Sequence, residues 1–106
     1  MEKDFKIMSF NCEGIKRTCD YVRHVLNDTS CDILCLQEIW LLDSTIDYLN
    51  NIHKDYIYVG ISGMDSNACI ISGRPKGGVA ILYKKTLGRN IAHIKSNNRR
   101  VSAIKF

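Results

Sequence analysis

Proline is nearly missing from this chain, with a single residue, Pro75, among 106. Proline fixes φ and removes an amide donor, so its scarcity, together with only seven glycines, leaves long uninterrupted stretches for strands and helices. No segment of biased composition and no internal repeat occurs. A hydrophobic fraction of 45% beside a charged fraction of 25% argues against a disordered chain. No apolar stretch approaches the roughly 20 residues that span a bilayer, and no secretory h-region is read at the start. The expectation is a soluble intracellular protein, cytoplasmic or nuclear, with no membrane partner. At this length residues 1–106 form one domain at most, which buries roughly 60–65% of the surface its unfolded form exposes.

Carboxylates are also missing, from one region: none follows Asp65. Lys84, Lys85, Arg89, Lys95, Arg99, Arg100 and Lys105 make the last quarter basic, within a formal net charge of +4. Such asymmetry points to nucleic acid, or equally to the solvated edge of a folded domain. The cysteines lack a pattern. Cys12, Cys19, Cys31, Cys35 and Cys69 are odd in number and irregularly spaced, which argues for a reducing compartment rather than a disulfide framework. Cys31 and Cys35 are close, but no second pair stands at zinc-finger spacing, so they read as small buried hydrophobes.

What is present reads as alternating strands and helices. Phe5 to Asn11 forms a first strand, stopped at Cys12-Glu13-Gly14. Ile15, Cys19, Val22 and Leu26 then recur at helical spacing, with Tyr21 and Val25 widening the stripe, in a helix that ends near Asn27-Asp28. Asp32 to Glu38 contains four consecutive apolar residues, the mark of a strand buried on both faces. Strand, helix and strand in this order form a crossover unit. Ser44 and Asp47 read as a capping box for a second helix with Leu42, Ile46 and Leu49 as its stripe. Further strands are expected at Tyr56 to Ile61, Gly78 to Lys84 and Val101 to Phe106, with a loop from Ser62 to Lys76.

In α/β sheets ligands sit beyond the carboxyl ends of the strands. The first strand ends in Asn11 and the second in Gln37-Glu38, so an amide and a carboxylate converge on one rim if the strands are neighbours. Spacing alone leaves both open as capping or turn residues. Three segments add to it: Lys-Ile-Met-Ser-Phe-Asn-Cys-Glu-Gly from Lys6, Cys-Asp-Ile-Leu-Cys-Leu-Gln-Glu-Ile-Trp from Cys31, and Gly-Gly-Val-Ala-Ile-Leu-Tyr-Lys-Lys from Gly77. In content and order they resemble successive motifs of the endonuclease/exonuclease/phosphatase superfamily. Gly73-Arg74-Pro75-Lys76 leading into Gly77-Gly78 is similar to the form found in endonuclease domains of non-LTR retrotransposons.

The resemblance implies the N-terminal half of a four-layer α/β sandwich of the deoxyribonuclease-I-like kind. It implies Mg²⁺ as cofactor, with Mn²⁺ as substitute, and nucleic acid, DNA rather than RNA, as substrate. Glu38 would be the metal ligand, and Asn11 would order the site and the scissile phosphate. Glu13 stands where some members carry an aspartate, one methylene too long. Lys16, Arg17, Arg74 and Lys76 are candidate phosphate contacts, or simply solvated cations. Trp40 either stacks on a base or packs the loop. The family's later Asp-x-Asn motif, expected beyond the third of these segments, and its terminal Ser-Asp-His motif have no counterpart in this sequence, and none of His24, His53 and His93 follows Ser-Asp. The chain taken alone is therefore expected to be inactive and, with one sheet face uncovered, to self-associate. Two rival readings remain: a superfamily phosphatase acting on inositol phosphates or sphingomyelin, and a non-catalytic relic or binding domain.

Overall fold

The structure, a computed structural model, describes residues 4–63 and 77–106. Strand β1 (Ile7–Asn11) leads through the turn at Gly14 into helix α1 (Ile15–Thr29), which returns the chain to β2 (Ile33–Gln37). A 3₁₀ helix (Asp43–Asn51) precedes β3 (Tyr56–Ile61), and β4 (Val79–Lys84) runs into a second 3₁₀ helix (Lys85–Asn90). The short strands β5 (Ala92–Ile94) and β6 (Ala103–Lys105) complete the described elements. The main sheet has the order β1-β2-β4-β3, while β5 and β6 pair with each other in a separate ribbon. β1 and β2 are parallel, the pairing a helical crossover permits, and β4 is antiparallel to both β2 and β3.

Helix α1 buries the residues its periodicity designates: Ile15, Cys19, Val22 and Leu26 are each 5% exposed or less. They meet Leu34 and Leu36 of β2 and Ala80 and Leu82 of β4, with Ile39, Leu41, Leu49 and Ile52 closing the core. Tyr21 is not part of that stripe. It is 55% exposed and lays its ring against Phe10, 5.2 Å between centroids.

The sheet corrects a second expectation. β2 is buried on one face only: Leu34 and Leu36 are enclosed, whereas Ile33, Cys35 and Gln37 are partly exposed. Among the described residues helix α1 covers the face that carries Leu34 and Leu36, while the second 3₁₀ helix comes up only to Ile57 at the margin of the other. On the other face the register lines up Ile7, Ile33, Tyr83 and Ile57, then Ser9, Cys35, Ile81 and Val59. That face is apolar and, except at Tyr83, open or half-open, with Ile7 at 64% exposure.

Two further corrections are local. The segment after β2 winds as a 3₁₀ helix beginning at Asp43, so Ser44 lies inside its first turn and cannot cap it. Thr45 does that work. Its Oγ1 accepts from the Leu42 amide over 3.0 Å, and its own amide donates to the Leu42 carbonyl. The last strand is shorter than Val101 to Phe106 and joins β5 rather than the main sheet.

The two ends of the sheet differ. At one end Asp32, 2% exposed, accepts the Lys6 amide at Oδ2 (2.9 Å) and lies 3.7 Å from Lys84 Nζ. This ties the start of β1 to the end of β4. The opposite end, where β1 and β2 finish, is left to polar side chains and glycines.

Candidate active site at the carboxyl ends of β1 and β2

Asn11 and Gln37 are register partners at the last position of the parallel pair, and Glu38 follows Gln37 directly. The amide and the carboxylate proposed from sequence thus stand at the same edge of the sheet. Gln37 is tied back to β1, its Nε2 donating to Ser9 Oγ over 2.9 Å. Asn11 is exposed, and its Oδ1 accepts the Glu13 amide over 3.2 Å, an Asx turn that carries the chain out of the strand. Its Nδ2 remains as a donor facing no protein acceptor among the described residues. Glu13, in the left-handed region at φ 46°, is an exposed turn residue.

Glu38 is held more firmly. Its Oε2 accepts Trp40 Nε1–H over 2.7 Å and the Gly77 amide over 3.2 Å. Both Glu38 and Trp40 have positive φ, 54° and 56°, with Ile39 between them at 0% exposure. Non-glycine residues rarely adopt this region, and such strain gathers at functional sites. Four backbone bonds hold the segment. The Gly14 amide donates to Glu38 O (2.8 Å) and the Ile15 amide to Ile39 O (3.1 Å), while the Ile39 and Trp40 amides donate to Gly78 O (3.3 Å) and Gly77 O (3.0 Å). Gly14 is required here, because at φ 97° a Cβ would stand 2.8 Å from Trp40 Cε3.

Cys12, beside Asn11, is not a nucleophile at neutral pH. Burial pushes its thiol up to about 12, with a Thr18 hydrogen bond opposing the shift. His53 and His93 stand at the far end of the sheet, bonded to Asn27 Oδ1 (2.8 Å) and the Tyr83 hydroxyl (2.6 Å). His24 is exposed on α1.

Cations reach the rim from two sides. Lys16 and Arg17 line a cleft of about 310 Å³ with Gly14, Ile39, Trp40 and Leu42, and Lys16 Nζ sits 5.7 Å from the Tyr48 ring centre. Arg74 and Lys76 lie outside the described residues. Arg99 and Arg100, which the sequence placed only in a basic tail, line a cleft of about 540 Å³ together with Gln37, Glu38 and Gly77. Arg99 is anchored there by Asp43 Oδ1 (3.0 Å) and the Ser62 carbonyl (3.3 Å). Both arginines lie in the turn ahead of β6 that the Val101 amide closes on the Asn98 carbonyl (3.0 Å).

The donor set suits a hard divalent cation. Glu38 Oε1 accepts no hydrogen bond from the described residues, and Mg²⁺ is usually held by one or two carboxylates together with substrate phosphate, keeping several waters. Among the described residues no three His, Cys, Asp or Glu side chains gather into a metal cluster.

Comparison with known proteins bears on the family and the fold. The profile described as Endonuclease/Exonuclease/phosphatase family matches residues 8–103. The chain belongs to that family, whose members are generally dependent on divalent metals. No curated protein matches it. Among solved structures it is similar to an AP endonuclease from Archaeoglobus fulgidus, at 26% identity and TM-score 0.58 over 76% of this chain and 27% of that one. It is similar to a 3′ phosphatase from Neisseria bound to product DNA hairpin, at 20% identity and TM-score 0.63 over 95% of this chain and 37% of that one. An AP endonuclease from Leishmania major gives 19% identity and TM-score 0.62 over 87% and 30%. The fold is the deoxyribonuclease-I-like α/β fold, and the chain spans about a third of the length of these structures.

Proposed function

We propose that this chain carries the first part of a Mg²⁺-dependent phosphodiesterase site for nucleic acid, endonucleolytic and directed at DNA. The observation that carries the reading is the position of Glu38: a carboxylate at the shared carboxyl end of β1 and β2, at the same sheet edge as Asn11, with one oxygen clamped and the other accepting no hydrogen bond from the described residues. Glu38 would hold the cation, and Asn11 Nδ2 would donate to a phosphate oxygen. A bound divalent cation supplies charge neutralisation at the phosphate or the leaving oxygen. Lys16 and Arg17 on one side, and Arg100 on the other, supply cations that track a nucleic-acid backbone independently of sequence. The action of the Neisseria relative on DNA favours DNA over an inositol or lipid phosphate. Within the family we place the chain with the endonuclease domains of non-LTR retrotransposons, on the Gly73-Arg74-Pro75-Lys76 sequence that leads into Gly77-Gly78.

The same geometry supports a binding module without chemistry as the second reading. Among the described residues nothing at the rim orients a water or accepts its proton, help that contributes about 10²–10⁴-fold in complete sites. The open apolar face also gives the chain alone a surface through which copies associate. A nicking assay on supercoiled plasmid with Mg²⁺ separates the readings. The 106-residue chain is expected to be silent, and a version continued to the length of its structural relatives is expected to nick. Silence of the longer version would favour the binding module, and Glu38-dependent nicking by the short chain would show that its site is already complete.

A further inference from the structure

The carboxylate of Glu38 is held asymmetrically. Its two donors among the described residues, the Trp40 indole and the Gly77 amide, both fall on Oε2, and neither touches Oε1. The asymmetry is built in by the backbone, since it depends on left-handed conformations at Glu38 and again at Trp40. It is also fixed sterically. The Trp40 ring lies against Gly14 so closely that a methyl group there would collide with Cε3. An indole is a donor only, so it can clamp a carboxylate oxygen and cannot compete for a cation. Hydrogen bonds to an ionised acceptor are shorter and stronger than neutral ones, and the 2.7 Å contact has that length.

We propose that Trp40 is a positioning residue for Glu38: with the Gly77 amide it fixes Oε2 and leaves Oε1 as the single oxygen presented to a divalent cation. The inference rests on the metal reading given above. It assigns Trp40 a part that neither base stacking nor loop packing describes. Mg²⁺ demands near-octahedral geometry and keeps several waters, and a carboxylate denied two-oxygen coordination leaves room for them. Partners that orient a ligating side chain typically change metal affinity or activity by about 10–100-fold.

The test uses the 106-residue chain and two kinds of readout. Without metal, the Trp40 indole N–H resonance should be protected from solvent exchange and should move in Glu38→Ala. With metal, Mn²⁺ titration should show Trp40→Phe, which keeps the ring and removes the donor, binding roughly 10-fold more weakly than wild type. The carboxylate infrared bands of the Mg²⁺-loaded chain, taken as wild type minus Glu38→Gln, should show the wide splitting of one-oxygen coordination. Trp40→Phe should narrow it. Equal Mn²⁺ affinity in Trp40→Phe, or an indole signal indifferent to Glu38→Ala, would overturn the positioning role while leaving the metal reading intact. Absence of Mn²⁺ binding in wild type would overturn the metal reading, and the Oε1 assignment with it. Should Trp40→Phe fail to fold, a narrow, two-oxygen splitting in wild type would overturn the proposal and a wide one would support it.

Discussion

Replacing Glu38 with alanine, in the chain continued to the length of its structural relatives, is expected to lower plasmid nicking by at least about 100-fold. Several kcal/mol of transition-state charge stabilisation pass through a bound cation, and each 1.36 kcal/mol, roughly, is a decade of rate. Glu38 is the one carboxylate among the described residues that lines the cleft with Arg99 and Arg100, so nothing described there replaces it. Glu38→Gln keeps the size and one oxygen, loses the charge, and should fall nearly as far. Asn11→Ala should cost less, because an exposed amide donor contributes a hydrogen bond rather than a charge. Rates of Glu38→Ala within threefold of wild type would remove the carboxylate from the chemistry.

The second large effect concerns stability. Leu36→Ala should cost about 2–5 kcal/mol, because Leu36 is 1% exposed between α1 and the sheet. A domain's whole stability is roughly 5–15 kcal/mol. The thermal midpoint should therefore drop by roughly 10 °C or more. Cys35 is the internal control. It is the adjacent residue of the same strand but faces the half-open side, so Cys35→Ala should cost well under half as much. Equal losses at the two positions would mean that the second face is as tightly packed as the first.

Much of the fold was legible because its signals are local. The four-residue stripe of α1 and the apolar run of β2 each need only their own period or length to be read, and β3 lies where its β-branched and aromatic residues put it. The 3₁₀ helix was misread because Leu42, Ile46 and Leu49 suit an α-helix equally well; backbone bonding, not spacing, separates the two. β5 has only three residues, too few for their alternation to be a signal, and exists through its pairing with β6, a contact that no local pattern announces. The one-sided burial of β2 was not legible in the run itself, since an apolar run does not say what covers it; it followed only from the half-sandwich that the family resemblance implied.

At the site, Asn11 and Glu38 were legible as polar residues ending apolar strands, and their motifs strengthened the reading. The Trp40 bond to Glu38 was not. It depends on left-handed backbone at two residues that are neither glycine nor asparagine, held there by bonds to Gly14, Gly77 and Gly78 from distant parts of the chain. Arg99 and Arg100 were hidden likewise, because the turn before β6 brings them to the rim from the far end of the sequence.

A divalent cation is expected to bind at the carboxyl ends of β1 and β2 through Glu38. Mn²⁺ titration of the isotope-labelled chain, followed by paramagnetic broadening of its amide signals, tests it most directly. Broadening should appear first around Asn11, Glu38 and Gly77, leave the Asp32–Lys84 end of the sheet sharp, and vanish in Glu38→Gln. Broadening that begins elsewhere, or that persists unchanged in Glu38→Gln, would mean that Glu38 does not hold the cation.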